Sequence, residues 1–458
     1  MSKRTINILN LSQKMEKSLQ KKNSFSTQKK SLGVLTLLLS ALTSFSQFTS
    51  GNLVVLQASD GVTTLTNTGN PIILKEYNMS GTMTFSTAVP STGANPLVIS
   101  GSATSEGGLS LSSNKKYLVF AGYAQALPNS TALAAASSSV INRGIGIVSA
   151  TAGYTRAAVS NTFYSTNNIR SAASDGNNNY WGAGGIDGTD YFGTASASCN
   201  VQNIKLNSRI VSIFNNQLYL STQSAAGAST LIGIYSIGTG TPAITGQTIT
   251  NVINTGTGSL PAQFCFNSTS TICYIADQNN TAAGGIQKWT YSGSAWTLAY
   301  TLTTGTTAIG AFGVVADFSG TNPKVYATTT EGSNNRLIAI NDVGASSTAT
   351  TLATCPANAI FRGLAFAPSI VTGIDESNKN ETEFSIYPNP TSSEINIMAK
   401  DLNPDMQIEI YDISGRLCIL NKLNEQKSIN VEKLNNGIYF VKLKDENGNY
   451  SIKKLVKE

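Results

Sequence analysis

From residue 52 to 368 the apolar positions fall in runs of five to eight, rich in Val, Ile, Tyr, Phe and Thr and separated by Gly, Asn, Asp and Ser clusters. No stretch sustains a helical period, so the pattern predicts an all-β fold. A longer period overlies it: an apolar strand, a polar turn, a strand with Tyr or Trp near its start, a Gly/Asn-rich loop, then a third strand. First strands begin near 108, 169, 210, 263 and 313, a spacing of about 40 to 60 residues that matches four-stranded propeller blades. A sixth copy is divided between the ends. Residues 361–368 read as an innermost strand with nothing after it, and 52–56 and 72–75 as second and third strands with nothing before them. Joining these in one blade closes the ring and removes exposed edges. The expectation is a six-bladed β-propeller. Seven blades is the alternative, because residues 123–165 have room for another, and a pair of β-sandwiches would also use regular short strands.

A different pattern begins at 384. Residues 394–397 and 407–412 alternate strictly between apolar and polar, as half-buried strands do. Turn signals at 413–416, 435–437 and 445–448 separate further strands. Six or seven short strands in about 75 residues predict a small Ig-like β-sandwich.

Charge divides the chain at the same places. Residues 1–46 hold 8 basic residues and 1 acidic, and the remaining 412 hold 23 and 24. The net charge of +6 therefore belongs to the N-terminus, and a near-neutral remainder argues against a nucleic-acid partner. Lys21, Lys22, Lys29 and Lys30 precede an apolar run over 32–42, followed by small residues up to Ser46. This order predicts a signal peptide cut after Ser46. No other apolar stretch approaches 18 residues, so no transmembrane segment is expected in the mature form. Residues 47–378 carry 24 charged residues in 332, and residues 379–458 carry 23 in 80. The domains expected are thus a propeller over 47–370, a polar linker over 371–383 and the sandwich over 384–458.

The chain has no histidine, which removes Ser-His-Asp and Cys-His nucleophiles, HExxH zinc proteases and His-ligated catalytic metals. No catalytic residue, metal or cofactor is assigned. Five cysteines leave at least one unpaired. Cys265 and Cys273 flank a hairpin-like loop and read either as a cross-strand disulfide or as two buried thiols. In a propeller, the starts of innermost strands and the loops joining second to third strands line one face and the channel mouth. That brings Arg170 and Arg362 near the channel, with Asp187, Asp277, Gln278, Asn279 and Asn280 in the loops, joined by Glu331 and Asn334. Such residues around a shallow bowl suit neutral or weakly charged glycans. Trp181 and Trp289 read as inter-blade core.

Four C-terminal motifs carry a family resemblance: Tyr387-Pro388-Asn389-Pro390-Thr391, the turn ending in Gly415-Arg416, Gly437-Ile438-Tyr439-Phe440, and the ending that contains Lys453-Lys454. Together they resemble a type A sorting domain of the type IX secretion system of Bacteroidetes. The resemblance implies recognition by the outer-membrane export machinery, removal by a sortase-like protease, and release or attachment at the cell surface. The large domain is similar to uncharacterised secreted bacterial propellers, through stretches such as 101–107, 168–172 and 361–368, a resemblance that brings no activity. The expected function is a noncatalytic exported protein that binds a glycan or protein partner. The alternative is a polysaccharide hydrolase or lyase working through carboxylate, Tyr or Arg chemistry.

Overall fold

A computed structural model describes residues 47–193, 197–226, 229–281, 283–369, 384–399, 406–413, 415–422, 427–444 and 450–458. The expected leader (1–46), the linker (371–383) and the turn at 445–448 lie outside the described residues. The chain separates into two compact units, the first ending at Ile370 and the second beginning at Val371.

The first unit is a ring of six four-stranded antiparallel blades. Blade 1 is built from both ends of the unit, its innermost strand Ile360–Phe366 followed outward by Leu53–Ala58, Asn70–Tyr77 and Met83–Ala88. Register pairs Leu53 with Phe366 and Ala58 with Ile360, so the termini close the ring as the divided sixth copy required. Blades 2 to 6 run outward from the innermost strands Leu109–Leu111, Ile169–Ser174, Ser208–Phe214, Pro261–Phe266 and Ala311–Asp317. Each innermost strand packs beside the next around the ring, and Ile360–Phe366 returns to Leu109–Leu111. Residues 123–165 hold no seventh blade: they supply Arg143–Ser149 and Tyr154–Ser160, the outer half of blade 2. A two-residue strand, Val98–Ile99, pairs with both Asn70–Tyr77 and Tyr117–Tyr123 and stitches blades 1 and 2 together.

The strands change character outward for a physical reason. An innermost strand such as Pro261–Phe266 is buried at every position because neighbouring blades cover both its faces. Outermost strands such as Met83–Ala88 and Ala349–Thr354 are largely exposed and rich in Thr, which suits a solvated pleated rim. The core lies between blades, in one apolar cluster for each of the six interfaces. Trp181 and Trp289 are buried in two of these clusters, as expected. At the axis the innermost strands approach so closely that a Cβ on Gly363 would lie 2.2 Å from the Leu109 amide nitrogen.

Cys265 and Cys273 are free thiols, which corrects the disulfide reading. Cys265 stands opposite Tyr274, and Cys273 opposite Phe266. This one-residue offset turns the two side chains to opposite faces of the sheet and into different inter-blade clusters. Burial carries the Cys265 thiol up to about 12, keeping it protonated.

The second unit packs a three-stranded sheet of Phe384–Tyr387, Glu394–Ala399 and Ser428–Asn430 with a four-stranded sheet of Leu417–Lys422, Gln407–Asp412, Gly437–Lys444 and Tyr450–Lys457. Their inward positions, including Ile395, Ile397, Ile408, Ile410, Val441 and Leu455, form one core. This is the expected β-sandwich.

Candidate functional site

At one end of the propeller axis, the starts of innermost strands and the loops between second and third strands enclose a cavity of about 380 Å³. Arg209 enters from Ser208–Phe214, Phe312 from Ala311–Asp317, and Phe361 and Arg362 from Ile360–Phe366. Gln223, Gln278, Asn280, Thr330 and Glu331 come from loops, as do Ser102 and Thr104 before blade 2. At the opposite end of the channel the cavity is larger, about 570 Å³, and more apolar, with Ile213, Phe214, Val315, Leu364 and Phe366 in its wall.

Of the residues expected at the mouth, Gln278, Asn280, Glu331 and Arg362 line the cavity. Gln278 accepts a hydrogen bond from Gln223 at 2.7 Å and donates to the Thr104 carbonyl at 3.3 Å, linking three loops. Asn280 Oδ1 accepts from the Gly310 amide at 3.0 Å and from the Thr330 hydroxyl. Glu331 Oε1 receives both Nε (2.8 Å) and Nη2 (2.6 Å) of Arg336. Arg362 donates to the carbonyls of Gly101 and Thr104 at 3.3 and 3.4 Å. Burial pushes its guanidinium down to about 10.

Arg170, Asp187, Asp277, Asn279 and Asn334 do not line it. Arg170 braces blades, donating to Ser105 Oγ at 3.1 Å, the Ser208 carbonyl at 2.9 Å and Asn207 Oδ1. Asp277 is buried at the end of Ile272–Asp277 and is saturated by Ser259 Oγ, Gln287 Nε2 and the amides of Leu260 and Asn279, at 2.7 to 3.0 Å. Asn279 is tied to the Gly258 carbonyl at 2.7 Å. Asp187 fixes the blade 3 loop by accepting the Tyr164 amide at 2.7 Å. Asn334 takes a left-handed turn position, φ 53°.

Arg209 is a mouth residue absent from the sequence reading, although a signal was present. Arg170, Arg209 and Arg362 each fall at the second or third position of an innermost strand. Glu106 is also not among the residues expected at the mouth. It is buried behind the mouth and accepts from Tyr123 Oη at 2.6 Å, the Ser100 amide at 3.0 Å and Asn168. Burial raises its carboxyl toward the neutral form, against these donors and the charge of Arg362. No group of three or more metal-ligating side chains occurs among the described residues.

In the second unit the four motifs form two structural groups. Asn389 Nδ2 donates to the Lys454 carbonyl at 2.7 Å, and its Oδ1 accepts the Val456 amide at 2.8 Å. Thr391 extends this seam with its amide to the Val456 carbonyl at 3.0 Å. Tyr387, Pro388 and Pro390 are exposed on the same segment, and the Lys453 and Lys454 side chains are exposed on the last strand. At the hairpin turn, Gly415 takes φ 81°, a conformation glycine adopts without steric cost. Arg416 Nε there donates to Asp412 Oδ2 at 3.0 Å. Gly437 opens the third motif at φ 158°, and Tyr439 Oη donates to the Asn435 carbonyl at 2.9 Å.

Among solved structures, the chain is similar to PorZ, an essential bacterial surface component of the type IX secretion system of Porphyromonas gingivalis, at 11% identity and TM-score 0.35, covering 86% of this chain and 69% of that one. It is similar to the periplasmic gluconolactonase PpgL of Pseudomonas aeruginosa at 11% identity and TM-score 0.36, covering 89% and 100%. A third likeness is to the β-propeller domain of Cps50 (Swd1) from Myceliophteria thermophila, at 9% identity and TM-score 0.35, covering 65% and 86%. No curated protein matches the sequence. Residues 385–458 match the family model of the secretion system C-terminal sorting domain. This segment is the sorting domain of type IX secretion, and it directs the chain across the outer membrane to the cell surface or the extracellular space.

Proposed function

We propose that the propeller is a noncatalytic binding module that holds a glycan, or a polar segment of a surface protein, in the cavity at its loop-rich mouth. The observation that carries this reading is the lining itself: amide, hydroxyl and guanidinium groups arranged around Phe312 and Phe361 in a cavity of about 380 Å³. Ligand pockets combine an apolar floor with a few convergent polar groups at volumes of roughly 300–1,000 Å³. The carboxylates favour binding over turnover. A glycosidase sets two carboxyl groups about 5 to 9.5 Å apart across the sugar. Here Glu331 lines the cavity in an ion pair with Arg336, while Asp277 is buried and saturated outside it.

The same reading makes residues 1–46 a cleaved leader, 371–383 a linker, and 384–458 a module removed by a sortase-like protease after export. The test is a glycan array probed with purified full-length protein, with every bound sugar also assayed for reducing ends and unsaturated products. Binding without product is expected. Product release overturns the noncatalytic reading. Absence of glycan binding, with binding to an isolated surface protein instead, moves the ligand class from sugar to protein.

A further inference from the structure

Six arginines lie in the described part of the propeller, and five of them have hydrogen-bond partners for their guanidinium groups. Arg143 donates to the carbonyls of Ile141, Ala134, Ala136 and Asn167 at 2.6 to 3.1 Å. Arg156 reaches the Pro96 carbonyl at 3.0 Å, and Arg336 pairs with Glu331. Arg170 and Arg362 use the carbonyl and side-chain acceptors described above. Arg209 is the exception. Its side chain is partly buried in the wall of the mouth cavity, and its guanidinium has neither a hydrogen bond nor an ion pair among the described residues. A buried cation without an acceptor is costly, because its lost hydration is not replaced.

The shortfall is concentrated at this cavity. Of the six buried side-chain nitrogen and oxygen atoms without a partner among the described residues, three belong to its lining: Nε of Arg209, Nε of Arg362 and Oε2 of Glu331. Unsatisfied buried polar groups are rare in folded proteins, so such clustering points to a missing partner. The local charge gives that partner's sign. Two guanidinium groups face the cavity, and the one carboxylate in the lining, Glu331, is already offset by Arg336. Burial holds the Arg209 guanidinium below its ordinary value, and its charge presses in turn on Arg170 behind the wall.

We infer that the mouth takes an acidic saccharide, with Arg209 and Arg362 receiving its carboxylate or sulfate group. The inference rests on the binding reading above and narrows its ligand class. A guanidinium meets such an oxyanion with a planar fork of donors, and Asn280 Nδ2 and the Ser102 hydroxyl are available to ring hydroxyls at the same cavity.

The test compares acidic and neutral oligosaccharides on one array, using full-length protein, with uronate oligomers set beside their methyl esters and sulfated sugars beside their unsulfated parents. Acidic members bind, and esterification or loss of sulfate weakens binding by roughly tenfold or more. Arg209→Gln loses about as much, and Arg209→Lys recovers part of it because the charge returns without the fork. A second readout separates ligand binding from support of the fold. Because the Arg209 guanidinium has no partner among the described residues, R209Q leaves the melting temperature without ligand unchanged or raised. A lowered melting temperature makes Arg209 a structural residue and overturns the inference. Binding to neutral sugars only overturns it while the binding reading stands. Binding to no sugar overturns it and leaves the binding reading with a protein ligand alone.

Discussion

Asn389 clasps one edge of the last strand, its Nδ2 on the Lys454 carbonyl at 2.7 Å and its Oδ1 on the Val456 amide at 2.8 Å. The first and last motifs of the sorting domain are therefore one surface, held by a side chain whose donor and acceptor are both used. Replacing Asn389 by Ala deletes both bonds, each worth about 1 kcal/mol net. N389A is expected to lower the stability of the second unit by about 1–2 kcal/mol and to reduce extracellular protein. Calorimetry of purified protein and the ratio of extracellular to periplasmic protein check the two effects, and undiminished export would separate this seam from sorting.

Blades 5 and 6 are joined by a second polar link. Lys288 Nζ lies 2.8 Å from Asp342 Oδ2, and the Tyr300 hydroxyl donates to Oδ1 at 2.7 Å. The Tyr274 hydroxyl also bonds the carboxylate. Asp342→Ala leaves the Lys288 charge facing the sheet unpaired, and removing one partner of a buried pair costs about 3–5 kcal/mol. K288M/D342L is expected to recover most of that loss, because apolar replacement of both partners spares the desolvation. Urea unfolding of the three proteins measures the difference.

Stability should also change with pH through Asp190. Burial carries its carboxyl up to about 7, against the hydrogen bond it accepts from Asn200 at 2.8 Å. Unfolded, an aspartate titrates near 3.9. Between about pH 4 and pH 7 the folded state therefore holds the extra proton, so stability falls as pH rises through that window and is level above it. Asp190→Asn removes this contribution. At pH 8 the variant is expected to be more stable than the native protein by up to about 4 kcal/mol, as read from unfolding curves across pH.

The cysteines give a simpler check. Cys265 and Cys273 face opposite sides of one sheet and are buried. A thiol reagent should label neither in the native protein and both after unfolding, while a reductant leaves the melting temperature unchanged. Intact mass before and after denaturation reads this directly.

The propeller was legible because its physics is repetitive. Innermost strands buried on both faces give runs such as Phe264-Cys265-Phe266 and Val314-Val315-Ala316, and the divided blade appears as an innermost strand at 361 that lacks successors. The Val98–Ile99 stitch was not legible, because two residues carry no period. At the mouth, sequence assigned residues to loops and innermost-strand starts without distinguishing brace from lining. Arg170 and Arg209 occupy equivalent positions in adjacent blades, yet Arg170 is spent on Ser105, Asn207 and Ser208, whereas Arg209 faces the cavity. Asp277 reads as a loop carboxylate until four donors are found on it. Side-chain partners drawn from other blades decide such cases, and those partners are distant in the sequence.

The most direct measurement is a crystal structure of the full-length protein with the tightest-binding sugar from the array. The account predicts sugar density in the mouth cavity, with an oxyanion within hydrogen-bond distance of the Arg209 guanidinium and a ring hydroxyl on Asn280. Sugar bound at the apolar end of the channel or on the blade rim, with the mouth empty, would contradict it.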